Sequence, residues 1–206
     1  MSADFLLAFK RTGNNEGASS LNPEDHGNVV VNGVVTIPTY QGVAPNRHPE
    51  WQGFKYITGC MEHMTKMPAY GTTAFAAWVA QLNKNLAAIN VLQTLVFTFY
   101  KVNFWKRLGE VDDQRIAETV YDMDVNTGSW GSKLMQRAAK VTDDGDIGPA
   151  SIEAINALDT VQLLIAFNTQ AIAHYEAIIA HDPTQARFRH SWESRLENYD
   201  RTPFVA

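Results

Sequence analysis

The 206-residue chain contains one cysteine, Cys60, and has no excess of basic side chains. One cysteine excludes an intrachain disulfide framework, so we expect the chain to fold in a reducing cytoplasm. Its 17 basic and 22 acidic side chains give a formal net charge of −5, without the basic surface that is typical of nucleic-acid-binding proteins. We therefore expect no nucleic-acid partner.

The sequence also lacks a segment with the features of a signal peptide or a membrane span. The first residues, MSADFLLAFKRTG, have no basic start and no long apolar core. The most apolar segment, LAAINVLQTLVFTFYKVNFW (86–105), is interrupted by two asparagines, a glutamine and Lys101, and is interpreted as a buried helix. These absences predict synthesis in the cytoplasm without a signal peptide, and no stable membrane insertion.

Short patterns near the N-terminus predict one helix and one β element. The helix is expected to run from Ser2, its N-cap, to about Arg11. In VVVNGVVTI (29–37), Asn32 and Gly33 flanked by valines predict a hairpin, because both central residues of its turn need positive φ. This hairpin is the only β element that the sequence predicts.

After Pro49 the hydrophobic pattern is helical up to about residue 200. Helices are predicted over 50–58, 73–88, 89–107, 113–126, 130–140, 150–157, 160–181 and 184–200. The expected N-caps are Asp112 or Asp113, Ser129 and Asp159, and the expected helix stops are Gly109 and Gly128. The sequence therefore predicts an α+β protein that is mostly helical.

Glu16 lies in NNEGA (14–18), a loop directly after the first helix. The negative end of the helix dipole raises the pKa of a carboxyl group there, whereas Lys10 and Arg11 lower it, so the two influences oppose each other. A carboxylic acid that is protonated near neutral pH can protonate the leaving oxygen of a glycoside. A surface glutamate without a role is the alternative, and spacing alone favours it.

Two further polar residues follow Glu16. Asp25 lies in NPEDHGN (22–28), a turn in which an aspartate commonly braces the loop. Thr39 lies in TYQGV (39–43) after the hairpin, and a threonine in a strand has an ordinary structural explanation. The order of acid, aspartate and threonine around a hairpin nevertheless indicates a possible site.

These three segments resemble the N-terminal signature of glycoside hydrolase family 108, which contains phage-type, lysozyme-like N-acetylmuramidases. That signature has a Glu-Gly-Gly loop, an Asn-x-Pro-x-Asp-x-Gly-Gly turn and a Thr-Tyr-x-Gly-Ile strand. NNEGA, NPEDHGN and TYQGV are its counterparts in this sequence. Ala18 and Asn28 stand where the signature has glycines, so these two positions lack the conformational freedom of glycine.

Later segments resemble the same family and the predicted peptidoglycan-binding region that usually follows it. FYKVNFW (99–105) is similar to the end of a family helix, and HSWESR (190–195) is similar to a closing Gly-Trp-x-x-Arg. Between them, the segments that resemble the peptidoglycan-binding region are VYDMDVNTG (120–128), KLMQRAA (133–139) and DDGDIGPASIEAIN (143–156).

The resemblance implies a lysozyme-like α+β fold, mostly helical, with a small N-terminal β-hairpin lobe. It implies a catalytic region over 1–110 and a helical peptidoglycan-binding region over 111–206, packed as one globule because no linker separates them. Residues 46–92 match no family segment that we identify; they are expected to be additional scaffold, and a lid or rim over a sugar groove is the alternative.

The resemblance also implies the reaction and the roles of three residues. The chain would hydrolyse the β-1,4 bond between N-acetylmuramic acid and N-acetylglucosamine in peptidoglycan. Glu16 would be the general acid, while Asp25 and Thr39 would position the water or stabilise the developing oxocarbenium charge. Peptidoglycan glycan strands are the expected partner, the chain is expected to be a monomer, and no cofactor is expected.

Three further residues are predicted to bind the substrate. The chain has five tryptophans, and sugars pack against aromatic faces, although most tryptophans are core residues. Tyr40 and Trp105 flank the matched segments, and Asn126 lies within one of them. These three are therefore the predicted substrate-binding residues.

No metal site is expected. CMEHMTKM (60–67) places Cys60 and His63 close together, but a metal site needs further ligands of suitable type. TDDGDIG (142–148) lacks the glycine at position six and the glutamate at position twelve of a calcium-binding loop. It is interpreted as a turn before a helix that begins near Pro149.

Two other functions are compatible with the same residues. A lytic transglycosylase would use one acid and no hydrolytic water, and it would leave anhydro-sugar ends. A catalytically inactive peptidoglycan-binding protein would bind the wall, but its glutamate would no longer act as a general acid. The missing signal peptide and disulfides fit a phage endolysin released through a membrane pore, and they equally fit a bacterial effector delivered by a secretion machine.

Overall fold

The structure, a computed structural model, describes residues 2–13 and 18–200, with side chains through Leu196. Within those residues there are nine α-helices and four short strands. The helices are α1 (Phe5–Gly13), α2 (Gly53–Glu62), α3 (Thr73–Ala87), α4 (Asn90–Tyr100), α5 (Gln114–Thr127), α6 (Trp130–Ala138), α7 (Pro149–Asn156), α8 (Thr160–His181) and α9 (Arg189–Asp200). The strands are β1 (Ser19–Ser20), β2 (Val29–Val31), β3 (Val34–Ile37) and β4 (Thr39–Tyr40). The predicted fold, lysozyme-like α+β and mostly helical, is confirmed.

Several helix ends follow the capping rules used for the prediction. The Asp113 carboxylate accepts the Arg115 backbone N–H at the start of α5, and the Asp159 carboxylate accepts the Gln162 N–H at the start of α8. Gly128 ends α5 with a φ of +76°. These caps were visible in the sequence because a short acidic side chain satisfies a backbone donor of the first turn.

Two other predicted ends are wrong, and at a third, the N-cap Ser129, the position is right but the capping bond is missing. Helix α1 begins at Phe5, and Asp4 rather than Ser2 caps it, because the Asp4 carboxylate accepts the Leu6 N–H at 2.7 Å. Ser129 precedes α6 but makes no capping bond with its side chain. Gly109 does not stop a long helix. Helix α4 passes into a π-helical turn at Lys101–Trp105, and Gly109 lies in the separate 3₁₀ turn Leu108–Glu110.

The predicted hairpin is confirmed, and a second pair of strands was missed. Strands β2 and β3 pair in antiparallel fashion around Asn32 and Gly33, whose φ values are +52° and +75°. Strand β1 pairs with β4, with Ser20 opposite Thr39. A two-residue strand carries no readable alternation of polar and apolar residues, so the sequence could not indicate this pairing.

The chain divides into two compact units, and the boundary falls within α1. Residues 9–101 form the N-terminal unit, and residues 2–8 with 102–200 are the described part of the C-terminal unit. Fully buried side chains in the N-terminal unit include Val43, Ile57, Leu82, Leu86 and Leu92. Those in the C-terminal unit include Val111, Val120, Met135 and Phe167. The division at residue 110 and the packing as one globule stay predictions.

Helix α8 is the described helix whose length and composition would allow it to cross a membrane. Its mean hydropathy over the most apolar window is 1.2, and 28% of that window is buried. Core helices of soluble proteins meet the same criterion, so the absence of stable membrane insertion stays a prediction.

Candidate active site

Asp25 is held in the turn between β1 and β2 by its backbone and by both carboxylate oxygens. Its N–H donates to the Asn22 carbonyl, and its carbonyl accepts the Asn28 N–H, both at 3.0 Å. Oδ1 accepts the Gly27 N–H at 2.8 Å, and Oδ2 accepts the Ser20 hydroxyl at 2.6 Å. The carboxylate is half-buried, and these contacts fix its orientation.

Thr39 lies on β4, opposite Ser20 on β1. Its hydroxyl is buried and has no hydrogen-bond partner among residues 2–13 and 18–200. A buried hydroxyl without a partner costs roughly 1–3 kcal/mol, so such a group is expected to bind water or a ligand. The position next to Ser20 brings this hydroxyl to the side chain that also binds Asp25.

Gly27 explains how the turn and β4 come so close together. A Cβ atom at this position would lie 2.7 Å from Thr39 Oγ1 and 3.1 Å from Asp25 Oδ1. Both oxygens therefore surround the same point, and a side chain at position 27 would displace them. This close approach is the physical reason for the glycine that matches the family signature.

Asn28, where the signature has a second glycine, strengthens the same turn. Its side chain is 2% exposed. Nδ2 donates to the Asn22 carbonyl at 2.9 Å, and Oδ1 accepts the Thr39 N–H at 2.6 Å. The Asn46 amide in turn donates to the Asn28 carbonyl at 2.6 Å. The substitution therefore fastens the Asp25 turn directly to the strand that carries Thr39.

Glu16, the predicted general acid, lies outside the described residues. The chain immediately after it is anchored at two points. The Ala18 carbonyl accepts the Gln41 N–H at 2.9 Å, and the Ser19 N–H and hydroxyl both donate to Asn83 Oδ1 on α3. Residues 46–92, expected to be scaffold, thus supply a side chain that holds the strand following the Glu16 loop.

Tyr40 and Trp105 are both buried. Tyr40 is 1% exposed, and its hydroxyl accepts hydrogen bonds from the side-chain amides of Gln41 and Gln93. Trp105 belongs to the C-terminal unit and is 4% exposed, and its ring centroid lies 5.5 Å from that of Phe5. Neither ring presents a free face on which a sugar could stack. Their substrate-binding role stays a prediction, and the proposal below does not depend on it.

Asn126 lies on α5 in the C-terminal unit, where it lines a cavity together with side chains of α8 and α9. Asp25 and Thr39 are therefore brought together in one unit, whereas Asn126 belongs to a different pocket in the other. The residues that the sequence analysis missed are Ser20, which orients Asp25, and Asn83, which holds the neighbouring strand. Neither residue has a local signal in the sequence, because each acts on a segment that is distant along the chain or that pairs only in the fold.

The two segments considered as metal sites contain ordinary hydrogen bonds. His63 Nδ1 lies 2.7 Å from the Gly59 carbonyl of its own helix. Gln136 Nε2 donates to Asp144 Oδ1, and Gln136 Oε1 accepts the Gly145 N–H, which fixes the turn before α7. No group of three or more metal-ligating side chains occurs within the described ranges.

Comparison with known proteins gives two family matches and a similar fold. The family described as Glycosyl hydrolase 108 matches residues 9–128, more than half of the chain, and a Predicted Peptidoglycan domain matches residues 130–197. Among solved structures, "Structure of Brucella abortus SagA" is similar with a TM-score of 0.54 and 16% identity, covering 96% of each chain. At this identity the likeness concerns the fold.

No curated protein sequence matches the chain. The family match extends over the loop, turn and strand that carry Glu16, Asp25 and Thr39, and the second match begins at the start of α6. A peptidoglycan domain follows the glycosyl hydrolase match in the sequence. The chain therefore belongs to the glycosyl hydrolase 108 family and is a peptidoglycan hydrolase.

Proposed function

We propose that the chain is an N-acetylmuramidase that hydrolyses the β-1,4 bond between N-acetylmuramic acid and N-acetylglucosamine. The observation that carries this proposal is the position of the fixed Asp25 carboxylate and the buried Thr39 hydroxyl on either side of Gly27. Among the described residues this hydroxyl has no hydrogen-bond partner. The arrangement lies beside the strand that follows Glu16. Membership of the glycoside hydrolase family supports the same reaction.

In the proposed mechanism Glu16 donates its proton to the glycosidic oxygen as the bond to the anomeric carbon breaks. Positive charge then develops on the sugar ring, and a carboxylate such as that of Asp25 stabilises it electrostatically. The Thr39 hydroxyl is available to bind the water that attacks the anomeric carbon, and a carboxylate, that of Asp25 or of the now ionised Glu16, accepts the proton that this water releases. Hydrolysis needs such a water-binding group, whereas a transglycosylase reaction consumes no water.

The test is the loss of turbidity of purified peptidoglycan with the wild-type chain and with Glu16→Gln. A positioned general acid contributes about 10²–10⁴-fold to the rate, so the variant is expected to lose that much activity. Glu24→Gln is the matched control, because Glu24 is exposed in the neighbouring turn and has no role in the proposed chemistry.

The outcomes separate the candidate functions. If the wild type and Glu16→Gln clear the wall equally, another residue is the general acid. No clearing by either would favour a catalytically inactive peptidoglycan-binding protein. Mass spectrometry of the products distinguishes reducing sugar ends, which hydrolysis leaves, from the anhydro-sugar ends of a lytic transglycosylase.

The biological setting belongs to the same proposal. We propose that the chain acts as a monomeric, cofactor-free endolysin that is made in the cytoplasm and reaches the wall through a membrane pore or a secretion machine. It would bind neither nucleic acid nor the membrane. Expression in the bacterial cytoplasm with and without a pore-forming protein tests this setting, because lysis is expected only when both are present.

A further inference from the structure

A cavity of about 170 Å³ lies in the C-terminal unit among α5, α8 and α9. On its wall the Trp192 ring of α9 stacks on the Tyr175 ring of α8, with centroids 4.9 Å apart and 25° between the planes. The side chains used below are Asp122, Asn126, Tyr175, Trp192 and Arg195. A concave site with an aromatic wall and a few polar groups has the composition of a ligand-binding pocket, and its small volume suits one residue of a ligand rather than the whole of it.

Two hydrogen-bond donors on this wall have no well-placed acceptor among the described residues. The Tyr175 hydroxyl has no hydrogen-bond partner in the described part of the chain. Burial raises the pKa of Tyr175 to about 12, so the phenol remains a donor at neutral pH. Arg195 Nη1 lies 3.5 Å from Asp122 Oδ2, at the outer limit of a hydrogen bond.

The charges around the cavity suit a ligand that carries a carboxylate. A guanidinium has five N–H donors, and it binds carboxylates with two parallel hydrogen bonds. Arg195 uses little of this capacity, and its side chain is 27% exposed. The Asp122 carboxylate, whose side chain is 5% exposed, lies beside it, and a carboxylate is an acceptor for an N–H or ammonium group of a ligand.

Of the components of peptidoglycan, the stem peptide fits this pattern better than the glycan. The repeating N-acetyl sugars bear hydroxyl and amide groups, whereas the peptides bear carboxylates and amines. A pocket that offers a guanidinium, a phenol donor and a carboxylate selects for groups of the second kind. The stacked Trp192 and Tyr175 rings then provide apolar surface for the carbon atoms of the amino acid.

We propose that this cavity binds the peptidoglycan stem peptide, with a peptide carboxylate on Arg195 and Tyr175 and a peptide nitrogen on Asp122. The site would hold the enzyme on peptide-bearing wall while the N-terminal unit cleaves the glycan. The inference rests on peptidoglycan as the substrate, but it does not depend on Glu16 or on the bond that is cleaved.

The experiment is isothermal titration calorimetry of the full chain with the tripeptide L-Ala-γ-D-Glu-meso-diaminopimelate. The same peptide with its carboxylates amidated and the disaccharide of N-acetylglucosamine, which bears no carboxylate, are the comparison probes. Tyr175→Phe removes only a hydroxyl that has no partner, so it is expected to fold and to weaken binding about fivefold. Arg195→Gln is expected to weaken binding about 10- to 100-fold.

A double-mutant cycle isolates the predicted contact. Amidation of the peptide should weaken binding to the wild type but add little to the loss in Arg195→Gln, because both changes remove the same interaction. Arg187→Gln is the matched control, since Arg187 is exposed and lies outside the cavity. Its affinity should equal that of the wild type.

Three results would overturn the inference: no tripeptide binding at millimolar concentration, unchanged binding in both cavity variants, or binding of the disaccharide alone. Tripeptide binding by a chain that does not cleave the wall would refute the muramidase proposal and support the cavity. Cleavage without tripeptide binding would do the reverse.

Discussion

Asp25 in the N-terminal unit and Asp124 in the C-terminal unit have nearly the same hydrogen-bond partners. Asp25 accepts the Ser20 hydroxyl and the Gly27 N–H, and Asp124 accepts the Ser132 hydroxyl at 2.5 Å and the Ser132 N–H at 2.9 Å. Their surroundings differ, because Asp25 is half-buried in a turn whereas Asp124 is 7% exposed between α5 and α6. Similar local chemistry can therefore serve a site or the interior of a helical unit.

The packing around Asp124 shows why it belongs to the interior. A Cβ atom on Gly131 would lie 2.5 Å from the Val120 carbonyl and 2.9 Å from Asp124 Oδ1. Helices α5 and α6 thus approach closely at a glycine, and the carboxylate fills the space beside it. Burial raises the pKa of Asp124 to about 6, although the hydrogen bonds from Ser132 act in the opposite direction.

The largest expected effect separates the two aspartates by activity. Asp25→Asn keeps the shape of the side chain but removes the charge that is proposed to stabilise the transition state. We expect the rate of peptidoglycan hydrolysis to fall about 10²–10³-fold, the loss typical of an electrostatic contact to the transition state. Asp124→Asn, the matched change, should leave the rate of the folded enzyme near that of the wild type.

The measurement is the initial rate of reducing-end release, normalised to folded protein by circular dichroism. If Asp25→Asn retains full activity, the aspartate only braces its turn, which is the ordinary interpretation of its position. A large loss in Asp124→Asn without unfolding would remove the distinction between the two residues.

The next effect concerns stability and pH. Asp124 has a folded-state pKa of about 6, above the ordinary 3.8, so the native state keeps this proton between about pH 4 and pH 6 while the unfolded chain loses it. The stabilisation is present below pH 4 and is lost as the pH rises to about 6. Because one pKa unit corresponds to 1.36 kcal/mol, the contribution is about 2–3 kcal/mol.

Urea unfolding at pH 4, 5, 6 and 7 tests this sign. Asp124→Asn should flatten the decline in the free energy of unfolding over that range. Asp182→Asn is the control, because hydrogen bonds from Thr184 and Gln185 lower the pKa of Asp182 below its ordinary 3.8. Its contribution is lost only as the pH falls below that value, so this substitution should leave the slope between pH 4 and pH 7 unchanged. Equal curves for the wild type and Asp124→Asn would show that burial has less influence on this carboxyl than we infer.

The same contrast explains what the sequence could predict. Helical periodicity, the Asp113 and Asp159 caps and the Asn32-Gly33 turn depend on residues close in the chain, and these predictions are confirmed. Ser20 and Asn83 depend on pairings between distant segments, and no local pattern indicates them. Tyr40 was chosen for its position beside a matched segment, but its burial depends on how α4 packs in the N-terminal unit.

The two candidate sites also differ in how far the sequence alone predicts their residues. Asp25 and Thr39 could be predicted because a contiguous family signature contains both. In the C-terminal cavity, the side chains of Asp122, Tyr175 and Arg195 come from three helices separated by long stretches of sequence. HSWESR, which resembles a family segment, contains Trp192 and Arg195. Only the structure shows that these two side chains line a cavity with residues of α5.

The smallest effect tests whether Asn28 improves on the signature glycine. Asn28→Gly restores the family residue but removes the bonds to the Asn22 carbonyl and the Thr39 N–H. We expect the free energy of unfolding to fall by about 1–2 kcal/mol. The Thr39 N–H loses its partner, the Asn22 carbonyl keeps only the Asp25 N–H, and glycine adds freedom to the unfolded chain. Asn32→Gly is the matched control and should be nearly neutral, since Asn32 already has positive φ. Urea unfolding of both variants gives the comparison, and an Asn28→Gly variant as stable as the wild type would mean that water replaces both bonds without cost.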